Sequence, residues 1–272
     1  MRIRISHLTR YRFAQPVRGA VQSHNLTPVD TDGQRVVDWS VEVEGATWGA
    51  PFRDGAGNSI RTMSVRGPIN EVAVAILGTV ETRDTAGVLR GHREAVPPLA
   101  YTRPTRRTQP DRALAELSRA ALAGLDGAPA LERAHALAAA VADAIAYRPG
   151  ETSAHTTPAE ALAQGAGVCQ DHAQALISVA QFAGIPARYV TGYLFASADG
   201  TPNEASHAWA ELHVAGLGWV GFDPANRCCP DGHYVRLGSG RDAAEAAPIR
   251  GVVRGDAKEE LEVRVAVEDA QQ

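Results

Sequence analysis

The period of the hydrophobic pattern changes twice along this 272-residue chain, and the two changes restrict its architecture more than any single motif does. Four stretches in the first third, Arg2 to Ser6, Val36 to Val43, Ser59 to Val65 and Glu71 to Val80, alternate or are β-branched and are separated by Gly, Asp and Pro turns. Strands that are apolar on one face must bury that face, so this region predicts an antiparallel β-sandwich. Between Asp84 and Gln109, prolines 97, 98 and 104 and arginines 103, 106 and 107 mark a connection, either a solvated linker or an anion-binding segment. From Thr108 the pattern becomes helical, and from Ala187 it alternates again. The chain reads as α+β, with a β domain and linker over residues 1–107 and a second unit over 108–272 that packs helices on an antiparallel sheet.

Start and stop signals place the helices. Thr108 to Asp111 has capping-box spacing and opens an Ala/Leu-rich helix to about Ala123. An amphipathic stretch runs from Leu131 to Tyr147, with Leu137, Val141, Ala144 and Ile145 on its apolar side. Thr157, Pro158 and Glu160 cap a short helix that ends at Gly165. A further helix runs from Cys169 to a Gly184 cap, with Pro186 forbidding continuation, and Ala187 to Phe195 follows as a strand.

Cys169 is the residue on which chemistry can be built. It follows Gly165, Ala166, Gly167 and Val168 and opens a helix, so its sulfur faces unpaired backbone N–H groups and the positive end of the helix dipole. Both favour the thiolate, the nucleophilic form. Taken alone, a cysteine there is equally a small buried apolar residue. The strand Ala205 to Val214 puts His207, Trp209, Glu211 and His213 on one face, and Trp219 to Asp223 forms the returning arm of a hairpin. Cysteine, histidine and aspartate thus occur in order, the set a thiol nucleophile needs: a base for its proton and a carboxylate to orient that base. Asp223 joins the His207 face only if it falls opposite an odd-numbered residue such as Trp209. That requires an odd connection, for example the three residues Ala215 to Leu217, or a bulge.

The strings GVCQDHAQALISVAQFAGIPARYVTGYL, SHAWAELHV and GWVGFDPAN resemble the core of the transglutaminase-like superfamily, whose fold is similar to that of papain-like cysteine proteases. His7 to Tyr11, Pro16-Val17 and Pro28 resemble the N-terminal β region of bacterial members, and Gly240 to Asp242 with Ala247 to Gly251 resemble the segment that closes the core. The resemblance implies Cys169 as nucleophile, His207 as general base and acid, and Asp223 as the orienting carboxylate. Family members often carry Asp-Pro-Thr-Asn where this chain has Asp-Pro-Ala-Asn, so Ala225 removes a hydroxyl beside Asp223. The implied activity is cleavage of amide bonds in peptide or protein substrates through a thioester. Two alternatives stay open: transglutaminase-type transfer to an amine, and a non-catalytic peptide-binding module.

Several neighbours are candidates for the remaining roles. The backbone N–H of Cys169 is one oxyanion donor. Gln164 lies a few residues upstream, where papain-like enzymes place a glutamine donor, though it also reads as a surface helix end. Gln170 and Asp171 either line the cleft or are ordinary first-turn polar residues, and Trp209 either walls the acyl site or packs the core. His172 is one turn from Cys169 but points to the side of the sulfur, His213 is structural or exposed, and the adjacent Cys228 and Cys229 are free thiols. No histidine pair has metal-ligand spacing and no calcium loop occurs, so neither metal nor cofactor is expected. A net charge of −4 lacks the basic footprint of a nucleic-acid partner. No stretch has the length of a membrane span, no signal-peptide core opens the chain, and the three cysteines show no paired framework, which together predict a cytoplasmic protein. Water is the default acceptor, and admission of an amine depends on loops such as Ser197 to Glu204.

Overall fold

The structure is a computed structural model that describes residues 1–195 and 206–270. Strands β1 (Arg2–Thr27), β2 (Gln34–Val43), β3 (Ala46–Trp48), β4 (Phe52–Arg53) and β5 (Ser59–Thr82) form the first part of an antiparallel sheet. The two expected strands over 59–65 and 71–80 are one strand, and the first expected strand continues far past Ser6. Prolines account for the difference. Pro16 and Pro68 cannot donate to a ladder, but the β1–β5 pairing is irregular between Arg12 and Gly19, and a proline is tolerated at such a bulge without ending the strand.

Helix α1 is Arg112–Ala121, α2 is Ala130–Ala144, then come β6 (Ala146–Tyr147), α3 (Pro158–Gln164), β7 (Ala166–Gly167) and α4 (Cys169–Phe182). The cap of α1 is Asp111, whose carboxylate accepts from the Leu114 N–H at 2.9 Å. Thr108 is buried instead and donates to Gln181 of α4 at 3.1 Å, so the capping-box reading misplaced the start by a turn. Helix α2 stops three residues short of Tyr147 because Ala146 and Tyr147 pair in parallel with Ala166 and Gly167. The Thr157/Glu160 capping box on α3 is formed, and α3 and α4 are followed by Gly165 and Gly184 at φ 64° and 75°, conformations that favour glycine.

Strands β8 (Ala187–Leu194), β9 (Ser206–Val214), β10 (Gly218–Phe222) and β11 (Tyr234–Gly240) make a second antiparallel sheet in the order β10-β9-β8-β11. Small side chains on the strands, Ala187, Ala208 and Ala210, let α4 lie close against the sheet. Ala173, Ala175, Leu176, Ile177, Val179 and Ala180 of α4 are fully enclosed, so the helix is buried nearly all round. The segment before α1 is no free linker. Val88 bridges to Val220, Leu89 donates to the Trp219 carbonyl at 2.9 Å, and Tyr101 is buried with its ring edge-on to Trp219.

The C-terminal strands β12 (Ile249–Val253) and β13 (Glu259–Asp269) both pair antiparallel with β1. Residues 249–269, expected within the 108–272 unit, therefore complete the sheet formed by the N-terminal strands. The two units also share a core: Tyr193, Val235 and Leu237 of the second sheet pack with Ile3, Ile5, Val74 and Ile76. The architecture is α+β, with an N-terminal antiparallel sheet and helices on a second sheet.

Candidate active site

Cys169 is the first residue of α4 and is 4% exposed. The turn that delivers it is held by Asp171, whose Oδ2 accepts from the Val168 N–H at 2.8 Å and from the Thr152 hydroxyl at 2.6 Å. Asp171 is thus an N-terminal helix cap, buried, and not an open cleft residue. Gly167 is required by this turn, since a Cβ there would stand 2.7 Å from the Asp171 Cβ. His172 takes no part in the chemistry: its ring nitrogens lie 2.9 Å from the Val168 carbonyl and 2.8 Å from that of Ile145, binding the helix start to the end of α2.

His207 is the second residue of β9. The β9–β10 register places Val214 opposite Gly218 and Ala210 opposite Phe222, a three-residue connection at 215–217. Asp223 therefore falls opposite Trp209 on the His207 face. His207 Nε2 and Asp223 Oδ2 are 2.6 Å apart, both residues being buried. Because Nε2 is engaged with the carboxylate, Nδ1 is the nitrogen available to the thiol, and Cys169 is near enough for its charge to favour the imidazolium. Burial opposes protonation of the imidazole, but the Asp223 carboxylate and Cys169 outweigh it and raise the His207 pKa to about 10. Burial also opposes charge on Asp223, yet its donors hold the carboxyl below the usual range.

Those donors include two residues that motif reading missed. Asn226 gives its side-chain amide to Asp223 Oδ2 at 2.8 Å and its backbone N–H to Oδ1 at 3.2 Å. Tyr234, at the start of β11, donates to Oδ2 at 2.9 Å. Asn226 is readable as the last residue of the Asp-Pro-Ala-Asn string. Tyr234 carried no signal, because only the pairing of β11 with β8 brings it under Asp223. Trp209 is 3% exposed, lies roughly parallel to the His207 ring at 6.4 Å, and packs with Val190 and Tyr234, so it supports the histidine from within the core. Gln164 is exposed at the end of α3 and makes no hydrogen bond to these groups, and Gln170 is exposed beside Cys169. His213 packs edge-on against Trp219. The loop Ser197 to Glu204 lies outside the described residues.

Behind the dyad, Glu211 of the same strand accepts from Arg188 at 2.6 Å and Arg236 at 2.8 Å. Arg188, fully enclosed, also pairs with Glu94 and lies over the Trp219 ring at 4.0 Å. The site thus rests on a strand whose buried face is fixed by paired charges.

Comparison with known proteins shows the family. Residues 119–224 match the model of the transglutaminase-like superfamily core, and residues 3–81 that of the bacterial transglutaminase-like N-terminal region. An uncharacterized protein of Mycobacterium leprae is 30% identical over 295 aligned positions, covering 98% of both chains. The chain belongs to the transglutaminase-like superfamily. An uncharacterized protein of Mycobacterium tuberculosis strain H37Rv is 29% identical, with 93% of this chain and 87% of its own covered. Among solved structures, a candidate cysteine protease from Cytophaga hutchinsonii superposes with a TM-score of 0.73 at 24% identity, over 99% of this chain and 91% of that one. At that identity the likeness establishes the fold. Members of this superfamily are typically enzymes, and all three residues of the expected Cys, His and Asp set are present here. Among the described residues no group of His, Cys, Asp and Glu could hold a metal ion, and no helix is long and apolar enough to cross a membrane.

Proposed function

We propose that this superfamily member cleaves amide bonds in peptide or protein substrates through a thioester on Cys169. The observation that carries the reading is the convergence of a helix-initial cysteine with a buried His207–Asp223 pair. The Cys169 thiolate adds to the amide carbonyl, the tetrahedral oxyanion collapses as His207 protonates the departing amine, and water activated by His207 releases the acid. Asp223 keeps Nε2–H of His207 engaged, so that Nδ1 faces the sulfur, and stabilises the imidazolium. Its three side-chain and backbone donors keep the carboxylate ionised and in place. Placement in a reducing compartment belongs to the same reading and is supported by three free cysteines, one of them exposed.

Mass spectrometry of protein and glutamine-containing peptide substrates, incubated with enzyme and a primary amine, tests the proposal. New chain termini or deamidated glutamine, lost in Cys169→Ala, are the expected products. Amine adducts would instead establish acyl transfer, and peptide binding with no covalent product would establish a binding module.

A further inference from the structure

Tyr189 of β8 is the buried tyrosine that shares an apolar cluster with Cys169. Tyr193 is bonded to His7 at 2.9 Å and Tyr234 to Asp223, as buried hydroxyls ordinarily are. Tyr189 is 4% exposed, and among the described residues its hydroxyl has no hydrogen-bond partner. It lies in the apolar cluster that contains Cys169, Ala208 and Ala210, on the strand face covered by α4. The group is close enough to Cys169 and Asp171 to feel their charges, and burial together with those charges pushes its pKa well up, which keeps it a proton donor at all working pH values. A neutral donor without an acceptor among the described residues, carried by a ring in the apolar cluster that also holds the nucleophile, suits an acceptor that exists only during the reaction. Gln164, the glutamine in the expected upstream position, is exposed and does not fill this role.

We infer that the Tyr189 hydroxyl is the side-chain donor to the oxyanion formed when Cys169 adds to a carbonyl, acting beside the backbone N–H of Cys169. The inference rests on Cys169 being the nucleophile. In the step concerned, the C–S bond forms, the carbonyl π pair moves onto oxygen, and Tyr189 donates a hydrogen bond to that oxygen without giving up its proton. On collapse the C–N bond breaks and the amine takes its proton from His207. The ring of the donor is held in place by its apolar neighbours, and a donor positioned before the charge develops discriminates transition state from ground state.

Tyr189→Phe removes the oxygen and keeps the ring. The test compares two reactions of Cys169: acylation by p-nitrophenyl acetate, which passes through an oxyanion, and alkylation by iodoacetamide, which does not. Acylation should slow about 100-fold, while alkylation changes less than about threefold, with a thermal midpoint unchanged or raised. Equal slowing of both reactions would assign Tyr189 a merely structural role and overturn the inference, as would acylation at the parental rate. Cys169→Ala separates the underlying reading: acylation and alkylation that survive in this variant would show that the nucleophile itself was misassigned.

Discussion

Asp223 and His207 are best understood as one unit whose protonation is set by the hydrogen bonds around it. With its pKa raised to about 10, His207 is protonated in the fold well above the usual histidine range. The stabilisation this pair gives the folded state is fully present below about 6.5 and is lost as pH rises through about 10. Asp223→Asn removes the counter-charge, so the alkaline limb of the kcat/KM profile should move to lower pH and the rate should fall about 100-fold or more. A limb that does not move would exclude the assignment. Tyr234→Phe works in the opposite sense: loss of a donor makes the carboxylate a stronger partner for the imidazolium, so the limb should move to higher pH, with a rate loss of about tenfold. Stopped-flow alkylation of Cys169 across the pH range reads both shifts. Cys169, His207 and Asp223 were legible in the sequence as candidates because each stands in a local string with its own backbone signature. Tyr234 was not, since its role depends on a strand pairing between residues about forty apart in the chain.

Two elements carry the geometry of the site. The first is the turn into α4, where Gly167 passes so near the Asp171 carboxylate that no side chain fits. Gly167→Ala should cost about 1–3 kcal/mol and displace Cys169, seen as a lower denaturation midpoint together with slowed alkylation. The second is β9, whose Glu211 stands between two buried guanidinium groups. Burial disfavours its charge, but Arg236 and Arg188 overcome this and lower its pKa to about 2. Its contribution is present above its ordinary value near 4.5 and lost as pH falls toward 2. Glu211→Ala leaves Arg236 without a carboxylate and Arg188 with Glu94 alone, and should destabilise by about 3–5 kcal/mol in urea titration. Helix α3 was readable to the residue because a capping box is a local device. Helix α1 was misread by a turn because Thr108 found a tertiary partner, Gln181, in place of a backbone N–H.

At the scale of the molecule, the chain leaves its first sheet, builds the helical unit and returns to finish that sheet with β12 and β13. Ile3 and Ile5 of β1 are fully buried in a core that also takes Tyr193, Val235 and Leu237 from the second sheet. Unfolding should therefore proceed as one cooperative heat-absorption peak in calorimetry, although family models match the two parts separately. Removal of residues 259–270 strips β1 of one of its two partners over Ile3 to Phe13, leaving β5 on the other edge, and should lower the midpoint of that peak for the whole chain, not for one part of it. Two resolved peaks in the intact protein would show that the shared core does not couple the parts.

The sequence by itself determined the class of the helices and of β2, β5, β8, β9 and β10, the local settings of Cys169, His207 and Asp223, and even the parity of the connection at 215–217, because periodicity, caps and hairpin register are local properties of a chain. The tertiary structure alone decided which strands complete the first sheet, that the segment after residue 84 is packed, that Asn226 and Tyr234 hold the carboxylate, and that Tyr189, unpartnered among the described residues, shares an apolar cluster with Cys169. Those outcomes depend on contacts between distant segments, where burial and the need to satisfy polar groups select one arrangement among many that the local pattern allows.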